Sequence, residues 1–314
     1  MIPALVMTAG LATRLRPLSL VRAKSALPVA GDPLARRILR WLAGAGIADT
    51  VLNLHHLPHS ITTLIGDGSD LGLRVRYSWE REVLGSAGGP RRAMPLLGSP
   101  TFLVVNGDTL TDFDVTAVID RHRSTGALVT MALVPNREPE KYGGVLVDEN
   151  DVVTGFCRRG SPQPSFHFFG VQVVEARAFA HLRDDVPSES VAWLYPSLIA
   201  EQHGSVRAFR CTAEYLDIGT PQDYLATSLL LAEREGRGQA IGRGARIASS
   251  ARVERSVLWD DVIVEAGAML RECIVTDGAR VPADTSWHGV SLRVPTGELG
   301  PGEKVIEGLA VCSI

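Results

Sequence analysis

The chain is poor in several things, and each scarcity excludes a class of protein. Only four cysteines occur in 314 residues, Cys157, Cys211, Cys273 and Cys312, far apart and with no C-x-x-C pair. A disulfide scaffold is excluded, and reduced thiols in a cytoplasmic protein are expected. No apolar run nears the roughly 18 residues that mark a membrane-spanning helix. The apolar start, IPALVMTAG, has no basic stretch before it and contains Pro3, so it reads as a buried strand and not as a secretion signal. Neither charge sign dominates: 32 Lys and Arg against 35 Asp and Glu leave a net charge of −3. No nucleic-acid partner and no membrane partner are expected from such interspersed charge. Two phosphate-binding fingerprints are also missing, G-x-x-x-x-G-K-[ST] and G-x-G-x-x-G.

What is present is a hydrophobic content of 45%, enough for one large domain or two unequal ones. The first two-thirds alternate strand-like and helix-like segments. ALVMTA, DTVLNLHH, LRVRYSWE, PTFLVVNGD and ALVTMALV read as strands. PLARRILRWLAGAGI, ITTLIGD, PRRAMPLL and VTAVIDRHRSTG read as helices. This βαβα order predicts an α/β fold with a mostly parallel sheet and helices on both faces. Such sheets bind ligands at the carboxyl ends of their strands. A closing helix is expected over Leu225–Arg234, followed by a polar linker, EREGRGQ.

Beyond the linker the pattern changes. Apolar residues recur at Ile241, Ile247, Val253, Trp259, Val264, Leu270, Val275 and Val281, in steps of six with two steps of five. A six-residue period predicts a short parallel β-helix, with antiparallel strands as the structural alternative. Trp259 and Cys273 are expected in its core. The division is thus 1–234, 235–285 for the repeat, and a tail over 286–314 in which GPGEK suggests a turn. A short apolar repeat suits a homo-oligomer contact.

The stretch from Met7 to Leu34, MTAGLATRLRPLSLVRAKSALPVAGDPL, follows the first strand with small residues and then with Arg14, Arg16, Arg22 and Lys24. Small residues let backbone N–H groups approach an anion, and long cations beyond them can reach its oxygens. The composition suits a polyphosphate; a plain strand-to-helix turn with solvated arginines fits it equally.

The order of residues is more specific. A-G-L-A-T-R-L-R-P-L-S, then Lys24 and L-P-V-A-G-D-P-L, resembles the signature of the sugar-1-phosphate nucleotidyltransferases. EREVLGSAGG is similar to that family's L-G-T-A-G segment, FLVVNGD to its G-D metal motif, KYGGVLV to its Y-G-x-V strand pair, and EYLDIGTP to its W-x-D-I-G-T-P segment. The resemblance covers residues 1–285 and implies a Rossmann-like domain with a left-handed β-helix of hexapeptide repeats. It implies that an NTP and a sugar 1-phosphate give an NDP-sugar and pyrophosphate, with Mg²⁺. Arg14 and Lys24 would meet phosphates, and Asp108 and Asp217 would hold the metal. Ala9, Gly10, Leu11, Thr13, Gly85, Ser86, Gly88 and Asn106 would line the nucleotide; Gly143, Arg158 and Gly170 would line the sugar. His55, His56 and His59 would lie away from the chemistry.

Four positions depart from the family pattern. Ala12 stands for a glycine, where its Cβ would crowd the phosphates or forbid positive φ. Ala23 stands for the proline before the lysine, which would loosen the segment. Arg158-Arg159 replace Glu-Lys, and Phe168 replaces Asn. The last two lie on the sugar side and favour an acidic or phosphorylated sugar, or a rebuilt pocket. The overall pattern resembles mannose-1-phosphate guanylyltransferases slightly more than N-acetylmuramate-1-phosphate uridylyltransferases. A non-catalytic nucleotide-sugar sensor of the same fold is the second class. An acyltransferase built on hexapeptide repeats is disfavoured, because the tail's only histidine, His288, lies past the last clear rung.

Overall fold

The computed structural model describes residues 1–297 and 299–314. By backbone contacts the chain forms two compact units. The first comprises residues 1–10, 38–58 and 65–216; the second comprises 11–37, 59–64 and 217–314.

The first unit is built on a nine-stranded sheet. Its strands are β1 (Ala4–Met7), β2 (Asp49–Leu54), β3 (Arg74–Trp79), β4 (Thr101–Asn106), β5 (Val129–Pro135), β6 (Gly144–Val147), β7 (Val153–Cys157), β8 (Phe166–Glu175) and β9 (Val206–Arg210). β3, β2, β1 and β4 are all parallel, as the βαβ order requires. β8 then pairs antiparallel with β4 and β5, and β9 returns parallel to β5. Strands Leu5, Val51, Phe102, Val104, Val129, Met131 and Val174 supply fully or almost fully buried side chains to one core. They come from continuous apolar runs, the signature of strands covered on both faces.

Strand order reverses at β1, which lies between β2 and β4. Chain segments leaving adjacent strands at such a point diverge and open a crevice at their carboxyl ends. Met7 of β1 pairs with Asn106 of β4 at that end, and the Gly107 N–H donates to the Met7 carbonyl at 2.9 Å. The α3 helix (Gly85–Leu97, after α1 at Leu34–Gly44 and α2 at Pro58–Ile65) begins five residues before the segment read from its apolar spacing.

The second unit contains a parallel β-helix. Inward residues stack in three columns: Ile241–Leu258–Val275–Leu292, Ile247–Val264–Val281 and Val253–Leu270–Trp287. The coil therefore repeats every 17 residues, in steps of six, six and five. This explains the five-residue steps and corrects one position. Leu258, not Trp259, points into the coil; Trp259 is fully buried, yet outside it. The antiparallel alternative is ruled out for these columns. Strands at Ser286–His288 and Val290–Arg293 continue the stack, and an antiparallel hairpin of Lys304–Ile306 and Leu309–Ser313 closes it. Arg293 and Glu303, both buried, form a two-point ion pair beneath that hairpin at 2.7 and 2.6 Å.

Candidate active site

In the first unit the crevice loops are set by hydrogen bonds. Asn106–Thr109 is a tight turn closed by the Thr109 N–H on the Asn106 carbonyl at 3.1 Å, with half-buried Asp108 third in it. The Thr109 hydroxyl donates to the Phe169 carbonyl at 3.0 Å. Gly170 follows with φ +92, and a Cβ there would stand 2.7 Å from Asn106 Nδ2 and from Thr109 Oγ1. The structure thus brings Asn106, Asp108 and Gly170 together.

Thr8 and Ala9, at the end of β1, donate their N–H groups to Asn53 Oδ1 at 2.5 and 3.3 Å. Asn53 is itself held by the Glu80 carboxylate at 2.7 Å, whose other oxygen accepts from the Leu84 N–H at 2.9 Å. These buried groups link the start of the glycine loop to the start of α3, and the sequence reading missed them. The available signal was a polar residue inside the apolar run VLNL and a glutamate ending the alternating strand RVRYSWE. His55 Nδ1 meets the Glu80 carbonyl at 3.1 Å, a structural role.

Burial pushes the Glu80 carboxyl above the ordinary glutamate range, against the opposing pull of the Leu84 N–H and the Asn53 amide. The unfolded chain releases this proton near 4.5, while the folded chain holds it to higher pH. Its contribution to stability is therefore complete below that value and is lost as pH rises through the folded pKa. Glu80→Gln should remove this slope from melts recorded across the acidic range. It should also cost about 1–3 kcal/mol at neutral pH, because its amide would face one of the two donors. An unchanged slope in the variant would refute the assignment.

Gly85, Ser86 and Gly88 open α3 and meet the segment 186–190. A Cβ at Gly85 would lie 2.7 Å from the Ser188 carbonyl, and one at Gly88 would lie 2.8 Å from the Val186 carbonyl. Ser86 donates its N–H to Glu189 at 3.2 Å and its hydroxyl at 2.5 Å. Close approach of protein backbone thus accounts for both glycines. Gly143 is packed against the Cys157 carbonyl and the Arg159 N–H, so exposed Arg158 and Arg159 border it. Beside them His167 lies between Tyr142 and Tyr215, ring centroids 4.1 and 4.8 Å away, and Phe169 stacks on Tyr215 at 6.2 Å. Phe168 is half-buried on β8.

In the second unit Leu11, Thr13 and Arg14 are exposed in or beside a 3₁₀ turn, Thr13–Leu15, pinned by buried Leu15. Ala12 precedes it at φ 48, ψ 46, in the left-handed region despite its Cβ. Its carbonyl accepts from Leu15 N–H and Ser19 Oγ, both at 3.0 Å, which hold it there. Positive φ is therefore tolerated at this alanine, and the conformation costs on the order of 1 kcal/mol. Ala12→Gly should recover about 0.5 kcal/mol net, since glycine also loses more chain entropy. A thermal melt lower than the wild type's would contradict this.

Lys24 is half-buried at the start of a further 3₁₀ turn, Lys24–Ala26, and is one of only three lysines in the chain. Ala23 keeps proline-like angles, φ −55 and ψ 147, and its N–H, which proline lacks, donates to Ser60 Oγ at 3.1 Å. The segment is braced, not loosened. Asp217 is half-buried; its carbonyl accepts from Thr227 Oγ1 at 2.9 Å, and its carboxylate lies over Gly219. Among the described residues no cluster of three or more His, Cys, Asp or Glu side chains could cage a metal. Mg²⁺ takes one or two carboxylates and completes its shell with phosphates and water, and Asp108 and Asp217 each offer a carboxylate of that kind.

The first unit's doubly wound sheet, with its strand order reversing at β1, is an architecture that binds ligands at the carboxyl ends of its strands. The chain belongs to the nucleotidyl transferase family, whose profile matches residues 3–234. A GlmU-like C-terminal hexapeptide profile matches residues 232–290. Among curated relatives, the mannose-1-phosphate guanylyltransferase of Mycobacterium tuberculosis is 31% identical over 86% of this chain and 83% of its own. The N-acetylmuramate alpha-1-phosphate uridylyltransferase of Neisseria meningitidis serogroup B is 35% identical over 69% of this chain and 93% of its own. The solved structure of HddC from Yersinia pseudotuberculosis complexed with GMP-PN shares the fold, with a TM-score of 0.64 at 22% identity over 74% of this chain and all of that one. No described helix is long and apolar enough to cross a membrane.

Proposed function

We propose that the protein is a sugar-1-phosphate nucleotidyltransferase that uses Mg²⁺ and prefers GTP. A phosphate oxygen of the sugar 1-phosphate attacks the α-phosphorus of the nucleotide in line; the bond to the β-phosphate oxygen breaks, and pyrophosphate leaves. The attacking oxygen is already anionic at neutral pH, so no protein base or nucleophile is required. Bringing two polyanions together is the main difficulty, and positioned cations offset it. Arg14 meets the nucleotide phosphates and the departing pyrophosphate. Lys24 meets the α-phosphate and the phosphate of the sugar. Ala9, Gly10, Leu11 and Thr13 offer backbone to the nucleotide, and Gly85, Ser86, Gly88 and Asn106 line it as well. Asp108 and Asp217 would hold Mg²⁺, which supplies neutralisation of phosphate charge.

The observation that carries the guanylyl preference is the 31% identity to a guanylyltransferase over 86% of the chain. A second reading, uridylyl transfer to an acidic sugar, draws support from the exposed Arg158 and Arg159 beside Gly143 and from the Neisseria relative. Against the sensor reading, Ala12 takes a positive φ and Ala23 takes proline-like angles, so neither departure from the family pattern need distort the loop.

Pyrophosphate release over a grid of four NTPs and a set of neutral and acidic sugar 1-phosphates tests all three. Turnover with GTP and mannose 1-phosphate is the expected result. UTP with an acidic sugar as the sole productive pair would favour the second reading. A blank grid in a protein that one nucleotide stabilises would favour the sensor.

A further inference from the structure

Trp259 faces outward from the coil, fully buried, and its Nε1–H donates to the Tyr224 hydroxyl at 2.8 Å. The Tyr224 O–H donates in turn to the Pro28 carbonyl at 2.5 Å. The Arg22 guanidinium sits over the same indole, 5.6 Å from the ring centroid. The 17-residue period sets Asp260 and Asp277 one coil apart, and both grip Arg22. Nε and Nη2 donate to the two oxygens of Asp277 at 2.7 and 2.8 Å, and Nη2 also reaches Asp260 at 2.8 Å. This two-point geometry is specific to a planar guanidinium, and the indole face adds a cation–π contact. The loop around Lys24 is thus fastened on both sides to one assembly: at Arg22 to the coil directly, and at Pro28 through Tyr224 of the helix Pro221–Arg234, which Trp259 of the coil holds. Between the two anchors the Ala23 N–H is fixed on Ser60.

We infer that Arg22 is a positioning residue: the Asp260–Asp277 pair and Trp259 hold the loop through it, so that Lys24, two residues on, is presented in one orientation to the phosphate of the sugar. The inference rests on the role given to Lys24 above. It assigns the β-helix a part in the reaction beyond packing.

The chain has only Lys24, Lys141 and Lys304 as lysines, which makes a direct readout practical. Arg22→Gln, Arg22→Lys and Asp277→Asn would be labelled with acetic anhydride, and modification of Lys24 would be measured by mass spectrometry relative to the other two lysines. In parallel, KM for the sugar 1-phosphate and for the NTP would be determined, with melts to confirm folding. Freed from its anchor, Lys24 should label severalfold faster in Arg22→Gln. KM for the sugar 1-phosphate should rise about tenfold or more, and more than KM for the NTP. Asp277→Asn should shift both in the same direction but less, since Asp260 remains, and Arg22→Lys should restore part of the loss. If Arg22→Gln does not fold, the other two variants carry the same comparison. Folded variants with unchanged Lys24 labelling and unchanged KM would overturn the inference while leaving the enzyme reading intact. A shifted labelling ratio in a protein that turns over no sugar phosphate would do the reverse.

Discussion

Asp108→Asn is expected to lower turnover about 10²–10³-fold while nucleotide binding persists. The substitution keeps size and shape and removes only the charge. Asp108 is half-buried in the Asn106–Thr109 turn, which is closed by its own backbone hydrogen bond, so the turn should survive the change. The loss would thus fall on the chemical step and not on folding. Excess Mg²⁺ should recover part of the rate, because a weakened oxygen ligand lowers metal affinity before it abolishes it. Pyrophosphate release against metal concentration, with a thermal melt beside it, checks both statements. Near wild-type turnover at low Mg²⁺ would remove Asp108 from the metal site. Asp217→Asn should behave in the same way, and Lys24→Met should lose turnover without any metal dependence.

How much of this was legible in the sequence depended on the range of the cause. The Arg14–Lys24 loop and the Gly107-Asp108 turn stood out because the order of their residues resembles family motifs; their composition alone fitted a plain turn equally. The 17-residue coil was legible as a period of about six, but its register at Leu258 and Trp259 was not. Both residues are apolar, and only the pairing of Leu258 with Ile241 and Val275 shows which one points inward. The conformation of Ala12 was hidden because an alanine does not report its φ; the hydrogen bonds on its carbonyl set it. Gly85 and Gly88 stood out through the resemblance as nucleotide-lining glycines, but the chain that approaches them, 186–189, lies about a hundred residues away. Asn53 and Glu80 were missed for a related reason. Their contact depends on the parallel register of β2 and β3, which sequence periodicity does not fix.

Gly170→Ala should be strongly destabilising. Its φ of +92 lies where an alanine is strained, and the added Cβ would fall 2.7 Å from Asn106 Nδ2 and Thr109 Oγ1 and 2.8 Å from Asn106 Cβ. Overpacking of this kind costs about 1–3 kcal/mol, and the backbone strain adds about 1–2 kcal/mol. A fall in Tm of roughly 5–10 °C is the corresponding expectation for a protein of this size. The neighbours cannot simply move aside. Thr109 is tied to the Phe169 carbonyl, and the adjoining Gly107 N–H is tied to β1 through Met7. Relief must therefore displace the Asn106–Thr109 turn, and Asp108 with it. The resemblance assigns Gly170 to the sugar side, where its loss would mainly raise KM for the sugar. Its contacts place it against the turn that carries Asp108, so kcat should fall by 10-fold or more, about the scale expected when a reacting group shifts by a fraction of an ångström. Kinetics at saturating sugar phosphate, in variant protein shown to be folded at the assay temperature, separate the two. A rise in sugar KM with kcat unchanged would return Gly170 to the sugar site alone; a fall in kcat would make it the backstop of the Asp108 turn.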